Sequence, residues 1–235
     1  MNGTFQYCDL LKTTPENIPE GVTTLKACFQ MTRITSAPTI PSTVTDLNST
    51  FHSCTKLVHA PEILSTQVTN IQYLYYNCTK LQTAYIPVNN GCPNYGSYYP
   101  LNTCKALTKI IWIGEATYDF NVRNFASEDG IVPKDAIIDL VENHLGTVSG
   151  KTLTLGSTYL GYLTDGKKAI ALMKGWTVAG VNMPNVTVGT DTTTLTSDTS
   201  VTSCIMQVND TNYKTRLDEV CAVYPNTTSV CLYGD

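Results

Sequence analysis

His52, His59 and His144 are the only three histidines of this 235-residue chain, and histidine is the side chain best suited to move protons or hold a metal near neutral pH. A triad or a metal set also needs a carboxylate or thiolate at matched spacing. None completes either arrangement, so His52 and His59, which sit in one repeat, read as solvent-exposed repeat variables. Glu115, Asp119, Glu128 and Asp129 are carboxylates near the end of the repeated region. A pair of carboxylates flanking a glycosidic bond hydrolyses sugars, but such spacing arises often by chance. There is no nucleophile elbow, phosphate loop, dinucleotide fingerprint or zinc signature. The sequence therefore assigns no catalytic residue, no metal ligand and no cofactor, and a glycan-active enzyme is the weakest functional reading.

Cysteine is the remaining reactive type. Nine are present, so at least one cannot pair within the chain. Cys8, Cys54, Cys78 and Cys104 recur at one place in a repeat and are expected to form a buried column of free thiols, since cysteine packs as a small hydrophobe. No C-x-x-C spacing occurs to support zinc. Cys204, Cys221 and Cys231 are the disulfide candidates in an oxidising compartment.

The repeat that positions these cysteines fills the first hundred residues. Its copies read Phe5-Gln6-Tyr7-Cys8 with Leu11, Phe29-Gln30-Met31-Thr32 with Ile34, Phe51-His52-Ser53-Cys54 with Leu57, and Tyr75-Tyr76-Asn77-Cys78 with Leu81. A fifth copy keeps Cys104 and Leu107. The step is about 22–26 residues, within the leucine-rich-repeat range, and units so short must stack to bury an apolar face. Residues 22–29, 44–51 and 68–75 place apolar side chains at i, i+3 and i+7, the pattern of two helical turns. Thr45 or Asp46, and Thr69 or Asn70, are suited to cap them. Residues 35–40, 58–63 and 82–87 alternate and read as short strands cut off by proline.

Phe51, Cys54 and Leu57, with Tyr75, Cys78, Leu81, Ile86 and Pro87, resemble the BspA-like leucine-rich repeats over about residues 1–113. The resemblance is weaker at 25–46, where Thr32 replaces the cysteine. A second segment, Leu153-Thr154-Leu155-Gly156 through Lys174-Gly175-Trp176-Thr177-Val178-Ala179, is similar to the closing unit of the same family. Such repeats occur in bacterial and protozoan surface proteins and in tailed-phage virion proteins. The resemblance implies an adhesive or structural role and carries no catalytic residue.

The fold expected on these grounds is α/β: a leucine-rich-repeat solenoid, with a short helical turn plus short strand per repeat and a small β-rich C-terminal segment. Residues 1–113 form the repeats, 114–180 a capping unit with two helices, and 181–235 a β-rich assembly or docking module. In the capping unit, 134–145 and 165–174 read as helices, and 109–114, 151–156 and 176–180 as strands. The Gly-, Asn- and Pro-rich stretch 88–100 reads as a loop whose Tyr95, Tyr98 and Tyr99 are the candidate ligand or receptor contacts.

Charged residues make up 14% of the chain and the net charge is −4, too few cations to track a phosphate backbone, so nucleic acid is excluded as an expected partner. No run of about 18 apolar residues occurs, so no membrane insertion is expected. Residues 1–5 show no basic or apolar leader, and the first repeat lacks a polar cap. The expected partners are other protein subunits, meeting 181–235 and that uncapped end, together with a host-surface protein or glycan. The expected function is a non-enzymatic structural and adhesive protein, a phage virion fibre or decoration component at the virion surface. A fragment of a secreted bacterial cell-surface adhesin is the alternative.

Overall fold

A computed structural model describes residues 1–89, 99–126, 131–179, 186–188, 203–207, 213–226 and 229–233. In chain order the regular elements are β1 (Thr83–Pro87), β2 (Lys109–Ile113), β3 (Phe120–Asn121), a 3-10 turn (Val122–Asn124), α1 (Lys134–Asp139), a π-helical turn (Leu140–His144), β4 (Lys151–Thr154), α2 (Ser157–Leu160), α3 (Asp165–Met173), β5 (Trp176–Val178), β6 (Val186–Val188), β7 (Ser203–Gln207), α4 (Tyr213–Val223) and β8 (Ser229–Tyr233). All strand pairs are parallel: β1 with β2, β4 between β3 and β5, and β7 between β6 and β8.

The leucine-rich-repeat solenoid expected from the sequence is overturned. Residues 1–82 contain no helix, their strands shrink to isolated parallel bridges, and the chain is a mixed α/β protein of short helices and small parallel sheets. The backbone explains why. Ala27, Met31, Ser49, Ser53, Tyr73 and Asn77 have φ between 52° and 60°, left-handed values that interrupt any right-handed helix. Their amides point sideways instead of along a helix. Leu25, Ala27, Phe29 and Met31 donate to the carbonyls of Asp46, Asn48, Thr50 and His52 at 2.8–3.0 Å, and Leu47, Ser49, Phe51 and Ser53 donate likewise to Asn70, Gln72, Leu74 and Tyr76 at 2.7–3.0 Å. The residues between them close i→i−3 turns, such as Cys28 to Leu25 and Gln30 to Ala27. Each unit is thus a run of turns bonded to the next unit at every second residue. The strand halves over 35–40 and 58–63 are reduced to single bridges, Ile40 with Ile63 and His59 with Thr83, because Pro38, Pro41 and Pro61 offer no amide, while that over 82–87 forms β1. In the C-terminal segment the described residues form the parallel strands β6, β7 and β8, with the 11-residue α4 between β7 and β8.

Stacking buries an aromatic column. Phe5 stacks on Phe29, Phe29 on Phe51 and Phe51 on Tyr75, with ring centroids 5.5, 5.7 and 5.7 Å apart and planes within 11°. Phe29, Phe51 and Tyr75 are fully buried, and Leu101 takes the next place. Beside the column each cysteine thiol donates to the aromatic residue's carbonyl one unit earlier: Cys54 to Phe29 at 3.0 Å, Cys78 to Phe51 at 3.0 Å and Cys104 to Tyr75 at 3.1 Å. Thr32 holds the same place with a hydroxyl bonded to the Phe29 carbonyl at 2.8 Å. Cys8 departs from the expected buried column. It is exposed.

One continuous core runs from Ile18 to Val178, so the turn units and the helical region share their apolar interior. Two tryptophans anchor the second part through indole N–H groups: Trp112 donates to the Ala136 carbonyl at 2.7 Å and Trp176 to the Gly146 carbonyl at 2.8 Å. The helix over 134–145 begins at Pro133 as α1 and widens into the π turn. Lys174 donates to the carbonyls of Val141 and Glu142 in that turn, and Lys167 pairs with the Glu142 carboxylate. Thr164 caps α3, and Gly175 turns the chain after it at φ 84°, where a Cβ would overlap the Val148 carbonyl. Among the described residues no helix is long and apolar enough to cross a membrane.

Candidate functional site

The turns place one side chain of every unit on the outer surface directly after the buried aromatic. These residues are Gln6, Gln30, His52 and Tyr76, and stacking sets them side by side. Gln6 Nε2 donates to Gln30 Oε1 at 2.7 Å, and Gln30 Nε2 donates to His52 Nδ1 at 2.6 Å. That bond makes Nδ1 the acceptor and leaves the proton on Nε2. Burial pushes the His52 pKa below the usual imidazole value, so the ring is neutral at pH 7.

The row then becomes aromatic. The His52 ring meets Tyr76 edge-on at 5.2 Å and Tyr73 at 5.7 Å, and Tyr73 and Tyr76 are 5.3 Å apart with their planes at 80°. All three rings are half-buried. Tyr73 reaches the cluster because its left-handed backbone, φ 54°, turns it outward from the interior beside Leu74 and Tyr75. Parallel rows flank the cluster: Asn48 Nδ2 donates to Gln72 Oε1 at 3.0 Å, and Asn77 Nδ2 donates to Ser53 Oγ at 3.2 Å. Asp46 and Asn70 receive the amides of Asn48 and Gln72 at 3.0 and 3.1 Å, which fixes the entry to each turn. Apart from the Asp46 carboxylate, which is spent on the Asn48 amide, and Lys26 ahead of Asn48, the result is a stripe of amides, hydroxyls and aromatic rings tied together along the stack. Such an arrangement is able to stack on a partner ring and to both donate and accept hydrogen bonds.

The residues singled out from sequence lie elsewhere. Tyr95 and Tyr98 fall outside the described residues, and Tyr99 is half-buried. His59 is exposed, with Nδ1 3.3 Å from Thr83 Oγ1, and lies on the bridge side of the units rather than with His52. The Nδ1 of His144 is 2.9 Å from the Gly114 carbonyl and its Nε2 lies 3.6 Å from Asp139. Glu115 and Asp119 are exposed, Asp119 receives the Thr152 amide at 2.8 Å, and Glu128 and Asp129 fall outside the described residues. Cys221 is a free, exposed thiol, while the side chains of Cys204 and Cys231 lie outside the described residues. Among the described residues no three His, Cys, Asp or Glu are placed to hold a metal.

Tyr73, Tyr76, Gln30 and Gln6 were missed as site residues. The signal for three of them was in the repeat alignment, in the position directly after Phe5, Phe29, Phe51 and Tyr75. Tyr73 had no such signal, since its outward path depends on a left-handed φ. Comparison with protein-family models, with curated proteins and with solved structures brings no match.

Proposed function

We propose that this chain is a non-enzymatic structural and adhesive binding protein, and most specifically a tailed-phage virion fibre or decoration component that contacts the host surface or neighbouring subunits. The observation that carries the reading is the stripe from Gln6 to Tyr76, where a hydrogen-bonded, uncharged row of recognition side chains sits on a stacked backbone. A side chain held in place before contact loses less conformational entropy on binding, so a weak single contact repeated along a row becomes useful. The thiols of Cys54, Cys78 and Cys104 fit the same role, because each is spent on a bond between units. Neighbouring subunits would meet residues 181–235 and the end of the stack where Tyr7 and Leu10 are 63% and 81% exposed.

Immunogold labelling of particles and cells from the producing culture, with antibody against this chain, tests the reading. Label on particle surfaces is the expected result, and label on the outer face of cells supports the adhesin instead. Label confined to the cell interior would overturn both.

A further inference from the structure

We infer that the His52–Tyr73–Tyr76 cluster, with the amide rows beside it, is a binding site for a neutral glycan chain lying along the stack. This inference rests on the adhesive reading above and names the ligand class of that same surface.

Three observations converge on a sugar. The first is ring chemistry. A pyranose ring offers an apolar C–H face to an aromatic side chain, and two tyrosines and a neutral imidazole lie within 5.2–5.7 Å of one another. The second is hydrogen-bonding character. Sugar hydroxyls both donate and accept, and the flanking groups of Gln30, Asn48, Gln72, Ser53 and Asn77 are amides and a hydroxyl that do the same. The side chains that meet at the rings, Gln30, His52, Tyr73 and Tyr76, carry no charge at pH 7, burial lowering the His52 pKa, and the Asp46 carboxylate is spent on the Asn48 amide and the Thr24 hydroxyl, so the groups at the rings suit an uncharged ligand.

The third observation is the step. The core rings of successive units lie 5.5–5.7 Å apart, which is close to the length of one sugar residue in an extended polysaccharide. A chain along the stack can therefore meet an equivalent side chain at each residue, with stacking at the Tyr73–Tyr76 end and amide bonds toward Gln6.

Affinity electrophoresis of the full chain through gels containing a soluble glucan, mannan or galactan, with anionic hyaluronan as a control, tests the proposal. Retardation by at least one neutral polysaccharide and not by hyaluronan is expected. The Tyr73→Ala, Tyr76→Ala double variant should bind at least tenfold more weakly, while Tyr76→Phe, which keeps the ring, should retain most of the retardation. Thermal melts of each variant separate lost binding from lost folding, and if the double variant melts early, His52→Gln replaces it with the same expectation. No retardation of the wild type by any neutral polysaccharide would overturn the proposal, as would full retention by folded ring-less variants.

Adsorption to bacterial cells separates the failure of this site from failure of the adhesive reading. Adsorption that survives periodate oxidation of the cells but not protease treatment makes the ligand a protein and overturns the glycan assignment alone. Absence of adsorption to any cell surface tells against the adhesive reading itself.

Discussion

Phe51 sits between Phe29 and Tyr75 with no exposed surface, so each of its faces is matched by another ring. Truncating it to alanine removes two stacking contacts at once, and Phe51→Ala should destabilise the chain by about 3–5 kcal/mol in denaturant unfolding. An unchanged midpoint would mean that the column does not bear on stability. The thiols make a second prediction through their protons. Burial raises the Cys54 pKa to about 11 from an ordinary value of 9.0, and that of Cys104 to about 12. A raised folded pKa means the folded chain keeps protons that the unfolded chain releases, so stability is full below pH 9 and falls as the pH climbs toward 11. Each such thiol contributes a slope of about 1.4 kcal/mol per pH unit in that window. Cys54→Ser keeps a donor for the Phe29 carbonyl but does not titrate there. Its unfolding free energy should fall less steeply than the wild type's between pH 9 and 11, and equal slopes would show that Cys54 is not buried as a neutral thiol. Both residues could be read from the repeat, since the spacing of Phe and Cys announced two internal columns. The exposure of Cys8 could not, because it follows from what lies above the residue in space.

The turn unit is where the sequence misled. Apolar residues at i, i+3 and i+7 suit two helical turns, yet residues 25–31 form successive turns with left-handed Ala27 and Met31. Glycine or asparagine would have advertised such positions, but Ala, Met, Ser, Tyr and Thr occupy most of them, so residue type gave no warning. The bonds to the next unit, at every second residue, compensate for a strain of about 1–2 kcal/mol per left-handed residue. Met31 tests this because its side chain is 45% exposed and contributes little packing. Met31→Gly removes the steric cost of φ 58° and should raise the melting temperature, even after the entropy glycine loses on folding. Met31→Val should lower it, since a β-branched side chain tolerates that conformation worst. A reversal of this order would mean that the turns are not held left-handed in solution. By contrast α3 was legible from its ends, Thr164 and Gly175, and the β1–β2 pair from its β-branched and aromatic run. The recognition stripe was half legible: Gln6, Gln30, His52 and Tyr76 share one repeat position, but their partners in the flanking rows depend on the turn geometry.

At the scale of the whole molecule, each turn unit is held mainly by its neighbours on either side. Unit bonds at Leu25–Met31 and Leu47–Ser53 are flanked on both sides, whereas Gly3, Phe5 and Tyr7 bond to one neighbour only. Native-state hydrogen exchange should therefore find the amides of Leu47 and Phe51 protected far longer than those of Gly3 and Tyr7, with Leu25 and Phe29 between or near the slower pair. Uniform protection along residues 3–53 would indicate a single cooperative block instead. The direction of these bonds has a further effect. Over the turns the amide of the earlier unit points toward the later one and the carbonyl points back, from Gly3 onto Lys26 through Leu101 onto Phe125, and these bonds outnumber those that run the other way on the bridge side, such as Thr45 onto Thr23 and Gln82 onto Val58. Peptide dipoles aligned this way add along the stack as they do along a helix. The side bearing Asn2, Thr4 and Gln6 is then the electronegative pole, and two such poles repel when brought face to face. The stack has a polarity, like a magnet with a marked end, and any assembly that lengthens it must join unlike poles.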